Sequence, residues 1–367
     1  MVNHKKGREM MQELNNITVN SLPVKTWNFL RMNESKVEHI EVNDSAIVTI
    51  NRDDFDGNIE FHTNVDNSNL AEFKNITTGS GDAFEAINAN NEVVIINENV
   101  KADKPLIIKY RYNGNTKCAN RLFFVSNSNS KLDVIVVFES DEDANGVSVH
   151  EIKAILKENA NLNIYTANLL SDGYVTLHNN GAVCDDNAVY SLVQVITGSE
   201  KTYYGGYTKL TGKNSSFVSD IAYYANKEQI LDMNYVAKHT GKKSNCDMTA
   251  TGVLDDNAKK IFRGTIDFVK GCKGAKGNER EDVLLLSDNN VNQTIPLILC
   301  DEEDVEGNHG ATIGKIDDEI IFYLGSRGIS RKEAERMMAK ARIKAVCDKF
   351  PSDEIKEQIT TYMEGRI

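Results

Sequence analysis

Thiolates and imidazoles are the side chains of this sequence best suited to unusual chemistry, because Cys and His hold zinc and iron–sulfur species. The chain has six cysteines, Cys118, Cys184, Cys246, Cys272, Cys300 and Cys347, all scattered singly. With neither CxxC spacing nor the density of a disulfide-stapled secreted domain, reduced and mostly structural thiols are expected. Cys300 follows Ile295-Pro-Leu-Ile-Leu299, and strand alternation puts it on the face of Ile298, which predicts a buried structural thiol. Cys347 falls in a helical pattern and is expected to pack. Cys246 and Cys272 stand in loop-like sequence, Asn245-Cys-Asp and Lys270-Gly-Cys-Lys-Gly-Ala-Lys, where exposed thiols could take a metal.

His309 has different surroundings. Gly307, Asn308 and Gly310 beside it suit a turn rather than a core strand, and Glu302, Glu303, Asp304 and Glu306 precede it. A turn imidazole beside carboxylates is suited to metal ligation or proton transfer. Other chemistries lack their spacing: the sequence has no Walker loop, no Gly-x-Gly-x-x-Gly after a strand, no Gly-x-Ser-x-Gly and no His-Glu-x-x-His. An ordinary hydrolase or NTPase is disfavoured.

The elements that must position these residues are short strands. From Val42 onward, runs such as Ala46–Ile50, Val93–Ile96, Leu106–Tyr110, Leu132–Phe138, Ala188–Ile196 and Ile261–Phe268 are rich in Val, Ile, Phe and Tyr. Asn, Asp, Gly and Ser clusters separate them and supply left-handed turns. An Asn-Ala phrase returns at Glu158-Asn-Ala160, Asp186-Asn-Ala188 and Asp256-Asn-Ala258, as stacked rungs would require. A pair of β-sandwiches fits the strand texture nearly as well. The solenoid is favoured because short strands continue for more than two hundred residues without a linker-like break.

Both ends differ from this middle. Residues 5 to about 40 begin with a polar, helix-like stretch and continue to Leu22–Leu30, where the chain's one tryptophan, Trp27, is expected to anchor a terminal segment. After Ile316, Ser330-Arg-Lys-Glu333 has capping-box spacing, and Ala334, Met337, Met338, Ala341 and Ala345 form a helical stripe. Ser352 is placed to cap a second helix bearing Ile355, Ile359, Tyr362 and Met363 on one side. The expected division is an N-terminal segment over 1–75, a β core over 76–316 and a helical region over 317–367.

Lys and Arg total 42 against 54 Asp and Glu, a net charge of -12, with no basic block, so a phosphate-backbone binder is disfavoured. No run of eighteen apolar residues exists and the first residues are polar, so a membrane span or secretion signal is not expected and the cytoplasm is.

The stretch Asp304-Val-x-x-x-His309-Gly-Ala-Thr312-Ile-Gly-Lys-Ile-Asp, followed by Ile321-Phe-Tyr-Leu324-x-Ser-Arg-Gly-Ile329, closely resembles the SufB/SufD family of iron–sulfur cluster assembly scaffold proteins. Phe262-Arg-Gly-Thr-Ile-Asp-Phe268, Leu284-Leu-Leu-Ser287 and Pro296-x-Ile298 fall in the family's order and spacing. The resemblance implies a right-handed parallel β-helix with a helical N-terminal segment and a C-terminal α-helical pair. It also implies a non-enzymatic scaffold that works with the ABC-type ATPase SufC and with a SufB-like subunit or a second copy of itself. ATP would sit on SufC alone, a transient iron–sulfur cluster would be shared with the partner, and a reduced flavin in the complex is allowed.

In SufD-type members the His of this motif is implicated in cluster assembly, which points to His309, with Cys246, Cys272 and Cys300 as thiol candidates. ATPase docking would fall on Phe322, Ser326, Arg327, Gly328, Ile329, Met337 and Met338. The chain departs from the family in places: Gly307-Asn308 stands where SufD members commonly have Cys-Ser, Gly310 where SufB members have Glu, and Glu281-Asp282 where SufB members have Cys-Asp. Its N-terminal part is also short. The resemblance is therefore closer to SufD, and His309 is expected to share any iron with a partner chain. Two rival readings stand beside it: a structural SufC-docking subunit without a metal role, favoured if all six cysteines are buried, and a β-helical carbohydrate-active enzyme, which needs paired carboxylates on a groove.

Overall fold

A left-handed backbone at one corner of each rung sets the repeat. Asn99, Asn129, Asn159, Asn187, Asn214 and Lys243 have φ between 55° and 61° and recur every 27 to 30 residues. Asn tolerates this conformation better than other residues bearing a Cβ. The backbone N–H of each donates to a carbonyl one rung on, for instance Asn129 to Glu158 at 3.0 Å and Asn159 to Asp186 at 2.9 Å. The side-chain amides continue the ladder, with Asn129 donating to Asn99 at 3.1 Å and Asn159 to Asn129 at 3.0 Å.

A computed structural model describes residues 12–26, 28–43, 45–55, 57–85 and 87–367, without the side chains of 82 and 83. The first strands are β1 (Gln12–Val19), β2 (Ser35–Val42), β3 (Ile47–Ile50), β4 (Ile59–Thr63), β5 (Asn90–Ile96), β6 (Leu106–Tyr112) and β7 (Lys117–Ser126). The middle holds β8 (Lys131–Ser140), β9 (Asn145–Leu156), β10 (Asn161–Leu170), β11 (Gly173–Cys184), β12 (Val189–Gly198), β13 (Lys201–Leu210) and β14 (Ser216–Ala225). Next come β15 (Ile230–His239), β16 (Asn245–Leu254), β17 (Lys259–Phe268), β18 (Ala275–Leu285), β19 (Val291–Cys300) and β20 (Val305–Gly314). Three helices follow: α1 (Asp318–Ser326), α2 (Arg331–Cys347) and α3 (Asp353–Glu364).

The odd-numbered strands from β5 to β19 stack in one sheet and the even-numbered strands from β6 to β20 in the other, every neighbour parallel. The short strands β4 and β3 close the first rung by pairing antiparallel with β5 and β6. This is a parallel β-solenoid of about eight turns, as the stacked-rung reading expects. The Asn-Ala phrase looked irregular because it serves two corners: Ala160 and Ala188 lead into the even sheet, Ala258 into the odd one. All three alanines are fully buried.

Inward-facing residues such as Leu132, Ile164, Leu192, Ile221, Met233 and Phe262 fill the lumen. The outer face of the even sheet is covered by α2 and α3, through Ala339, Ile343, Val346, Ile355, Ile359 and Met363. The apolar stripe of α2 is rotated from the expected one. Ala334, Ala339, Ile343, Val346 and Cys347 are buried, while Met337, Ala341 and Ala345 are exposed, so that the branched Ile343 and Val346 face the sheet. Ser330 caps α2, its Oγ accepting from the Glu333 N–H at 3.2 Å, which is the serine half of the expected capping box, and Ser352 caps α3.

The expected N-terminal helical segment is not what the described residues form. From Gln12 on, the chain makes an antiparallel hairpin, β1 on β2, whose Val19, Val37, Ile40 and Val42 pack on the outer face of the odd sheet. Leu14, Ile17 and Val19 are its more buried apolar positions, the alternation being interrupted once at Asn16, whose φ is 55°. Trp27 and the start of the helix-like stretch lie outside the described residues.

One buried charge pair fastens this segment to the solenoid. Arg263 on β17 donates from Nη1 to Asp232 Oδ1 on β15 at 2.6 Å and from Nε to the Met32 carbonyl at 2.6 Å. Asn20 Nδ2 donates to the same carboxylate at 2.6 Å, and Ser35 Oγ donates to its other oxygen. Removing one partner of such a pair leaves the other charge buried without compensation. Arg263→Met is therefore expected to cost about 3–5 kcal/mol in urea unfolding and to expose residues 20–35 to limited proteolysis. An unchanged midpoint and cleavage pattern would show that the hairpin is held otherwise.

Candidate functional site at the open end of the solenoid

A parallel strand needs neighbours on both sides to satisfy its backbone, and β19 and β20 each have one. Among the described residues no further rung covers them, so the inward faces of these strands meet solvent. His309 lies here, within β20 and not in a turn. Gly and Asn are tolerated because an edge strand pairs on one side only, and because the facing sheet comes close. A Cβ at Gly307 would stand 3.0 Å from the Phe268 ring and 3.3 Å from Ile298.

The register places His309 directly beside Glu279 of β18, and Ala311 beside Glu281. Parallel partners project to the same side, so His309 faces the lumen above Glu279. Alternation along Ala275–Val283 buries Ala275, Gly277, Glu279, Glu281 and Val283 and leaves Lys276, Asn278 and Arg280 exposed. That alternation was the sequence signal for Glu279, which composition and motif reading passed over. The Glu279 carboxylate lies against Gly264: a Cβ there would fall 2.1 Å from Oε1, which gives the glycine of the Phe262-Arg-Gly-Thr stretch a steric role.

Glu281 is held by three side chains. Lys260 Nζ donates to Oε1 at 2.6 Å and Tyr223 donates to the same oxygen at 2.7 Å, while Thr294 Oγ1 donates to Oε2 at 2.6 Å. Lys260 also donates to Thr294 at 3.0 Å. Burial draws the Lys260 pKa down against the opposing pull of Glu281. Glu279 has no such partners: Oε2 is buried without a hydrogen bond, and burial, aided by the charge of Glu281, pushes its pKa up to about 8.

The cysteines sort almost opposite to expectation. Cys300 is exposed, although it shares the face of Ile298 as strand alternation requires, because its strand belongs to the uncovered rung. With Phe268, Ile298, Val305 and Gly307 it lines a groove of about 540 Å³, and its thiol donates to the Glu302 carbonyl at 3.1 Å. Cys246 and Cys272 are buried, the first inside β16 and the second beneath a corner turn. Burial pushes their thiols up to about 12 and about 11, which suits inert packing. Cys347 is buried as expected. His309 lies four residues along β20 from Val305, roughly 13 Å at about 3.3 Å per residue, so the imidazole and the Cys300 thiol mark separate parts of the rim. Among the described residues no group of three or more His, Cys, Asp or Glu side chains is placed to hold a metal ion.

A second surface lies on the helices. Helix α1 is apolar through Ile320-Ile-Phe-Tyr-Leu324 yet buries no residue, and Phe322 is 80% exposed. Tyr323 and Met337 are exposed beside it, and Met338 is partly buried against the solenoid. Gly328 ends the helix at φ 84°, while Ile329 N–H donates back to the Leu324 carbonyl at 3.1 Å, the geometry that favours Gly past a helix terminus. Ser326 Oγ caps the Tyr323 carbonyl at 2.7 Å, and Arg327 lies over the Tyr323 ring. An exposed apolar patch of this kind marks an interaction site.

The buried Glu279 carboxyl carries a pH signature. A solvated glutamate releases its proton near 4.5, whereas here it is retained to about 8. The folded state therefore binds the extra proton within that window, and wild-type stability falls as pH rises through it. Glu279→Gln cannot ionise, so its stability relative to wild type is expected to climb across the window, by up to about 1.4 kcal/mol per pH unit, and to level off above it. Urea midpoints of both proteins over this range provide the check; a difference independent of pH would show that Glu279 is ionised throughout.

A family model for the SUF system FeS cluster assembly, SufBD core domain, matches residues 110–342, well over half of the chain. The chain is 25% identical over 273 residues to the iron-sulfur cluster assembly protein SufD of Bacillus subtilis, covering 74% of this chain and 62% of that protein. It is 23% identical over 305 residues to iron-sulfur cluster assembly SufBD family proteins of Staphylococcus saprophyticus and Staphylococcus epidermidis, covering 80% of this chain and 65% of each. The chain thus spans slightly less than two thirds of the length of these relatives. With an FeS-assembly core match laid over a parallel solenoid, the chain belongs to the SufB/SufD family of iron–sulfur cluster assembly proteins and leans towards SufD.

Proposed function

We propose that this chain is a scaffold subunit of an iron–sulfur cluster assembly complex, joining a SufB-like subunit or a second copy of itself at its open end and a SufC-type ATPase at its helices. The observation that carries this reading is the uncovered last rung. It presents His309 and the exposed Cys300 to whatever covers it, while among the described residues no three His, Cys, Asp or Glu side chains converge to hold a metal. A cluster assembled here would take His309 from this subunit and its remaining ligands from the partner. Imidazole and thiolate suit a transfer scaffold because they bind iron species while remaining exchangeable.

The exposed Phe322, Tyr323 and Met337 form the ATPase-docking face, with Ser326, Arg327, Gly328 and Ile329 shaping the end of α1. ATP is bound and hydrolysed by the ATPase, and this subunit contributes position rather than covalent catalysis. The exposed Cys300 removes the condition that favoured a purely structural subunit. The carbohydrate-active reading gains nothing from Glu279 and Glu281, since both are buried and Glu281 is engaged by Lys260, Tyr223 and Thr294.

Two outcomes test this. Phe322→Asp is expected to weaken capture of a SufC-type ATPase by about ten-fold or more with an unchanged melting temperature, since the side chain contacts solvent; undiminished capture would move the docking face elsewhere. Anaerobic reconstitution with iron and sulfide is expected to give little visible absorbance on the lone chain and a stable chromophore with a SufB-type partner, reduced by His309→Ala. A robust chromophore on the lone chain, or full formation with His309→Ala, would remove His309 from the shared site.

A further inference from the structure

The outer face of the odd sheet carries a cavity of about 380 Å³ between β7, β9 and the segment joining β4 to β5. It lies five strands from β19, roughly 24 Å at about 4.8 Å per strand, and so is separate from the open end. Its floor is made by Arg121 and Phe123 of β7 and by Glu151 and Lys153 of β9, which stand in register as Arg121 with Glu151 and Phe123 with Lys153. Leu70 and Phe73 form the wall, the Phe73 and Phe123 ring centroids lying 4.8 Å apart.

The charges on this floor are unequally satisfied. Arg121 donates from Nη2 to the carbonyls of Ile87, at 2.9 Å, and Phe84, and its Nε lies 3.2 Å from Glu151 Oε2. Lys153, with a side chain only 7% exposed, has Glu151 Oε1 at 3.8 Å as its one ion pair, and no hydrogen-bond acceptor. Burial holds the Glu151 carboxyl above the usual range, with Lys153 and Arg121 opposing. The Lys153 ammonium opens into the cavity, and with no hydrogen-bond acceptor from the surrounding described residues it is placed to receive an anionic group there.

We infer that this cavity binds a small organic monocarboxylate, its carboxylate received by the Lys153 ammonium and its aromatic or branched aliphatic body seated against Leu70, Phe73 and Phe123. The volume falls within the range of small-molecule sites, and an apolar wall of Leu70, Phe73 and Phe123 facing charged groups that include Lys153 can orient a ligand with one apolar and one anionic end. The cavity is lined by three cations, Lys74, Arg121 and Lys153, against two carboxylates, Glu85 and Glu151, and the one positive charge in excess suits a single negative charge better than the two of a phosphate monoester.

Phenylacetate is a suitable probe. Titrated into the full chain and followed by ligand-observed NMR, it is expected to bind saturably. Lys153→Met, which keeps the length of the stem, is expected to weaken binding about ten-fold or more, while its melting temperature without ligand is equal to or above that of wild type. Lys153→Gln is the second variant, with the same loss expected. Absence of saturable binding would overturn the inference, as would undiminished binding by folded Lys153→Met or Lys153→Gln, or equal binding of uncharged 2-phenylethanol. Displacement of phenylacetate by an equal concentration of inorganic phosphate would overturn the preference for a single charge.

Discussion

Every backbone N–H and C=O of a parallel strand has to find a partner on a neighbouring strand, and this requirement shapes the molecule from end to end. Within the stack each rung satisfies the next, and the Asn corners carry the pairing around the bends. At the first rung the antiparallel strands β3 and β4 complete the pairing. At the last rung β19 and β20 are left with an open side. The site arises from that asymmetry: side chains that would be core in any earlier rung become a presented surface.

The lumen beneath that surface is unusual for a solenoid core. Earlier rungs fill it with aliphatic and aromatic residues and with polar groups such as Ser148, His178 and Gln194 that bond one another or buried tyrosines, whereas the last rungs bury Lys260, Glu279 and Glu281. Charges are tolerated there only with partners or with a retained proton. Glu281 meets the first condition through Lys260, Tyr223 and Thr294, and Glu279 the second. Replacing apolar packing by this network lowers stability at the end of the stack and places polar, adjustable groups directly under His309, where a partner subunit would complete the rung.

The two outer faces of the solenoid are specialised differently. The even sheet is covered by α2 and α3, while α1 rests Ile321 against the same cluster and leaves Ile320, Phe322 and Tyr323 exposed. The odd sheet is covered near its middle by the N-terminal hairpin through the Arg263–Asp232 pair, and nearer its start by a segment that leaves a cavity over Lys153. Two of these coverings are apolar contacts strengthened at one point by a buried charge or a cap. A change at that point is therefore felt by a whole segment and not by one side chain.

Local order was legible in the sequence wherever one physical rule decided it. Alternating Val, Ile, Phe and Tyr gave most rungs, Asn and Asp clusters gave the corners, and Ser330 and Ser352 gave the starts of two helices, because periodicity and capping act over a few residues. Motif resemblance gave the family. What it could not give was which inward residues are covered, since burial depends on the next rung about thirty residues away. Cys300 and Ile298 obey the same alternation as Cys246 and Met248, yet only the tertiary structure shows that nothing stacks above the first pair. His309 read as a turn because Gly and Asn surround it, and the edge pairing that makes those residues acceptable in a strand is itself tertiary. The same holds for Arg263, a motif residue whose partners Met32 and Ser35 lie more than two hundred residues away. The sequence by itself determined the rungs, the helices and the family; the stacking decided which thiol is inert, which is presented, and that His309 faces an open lumen above a buried glutamate.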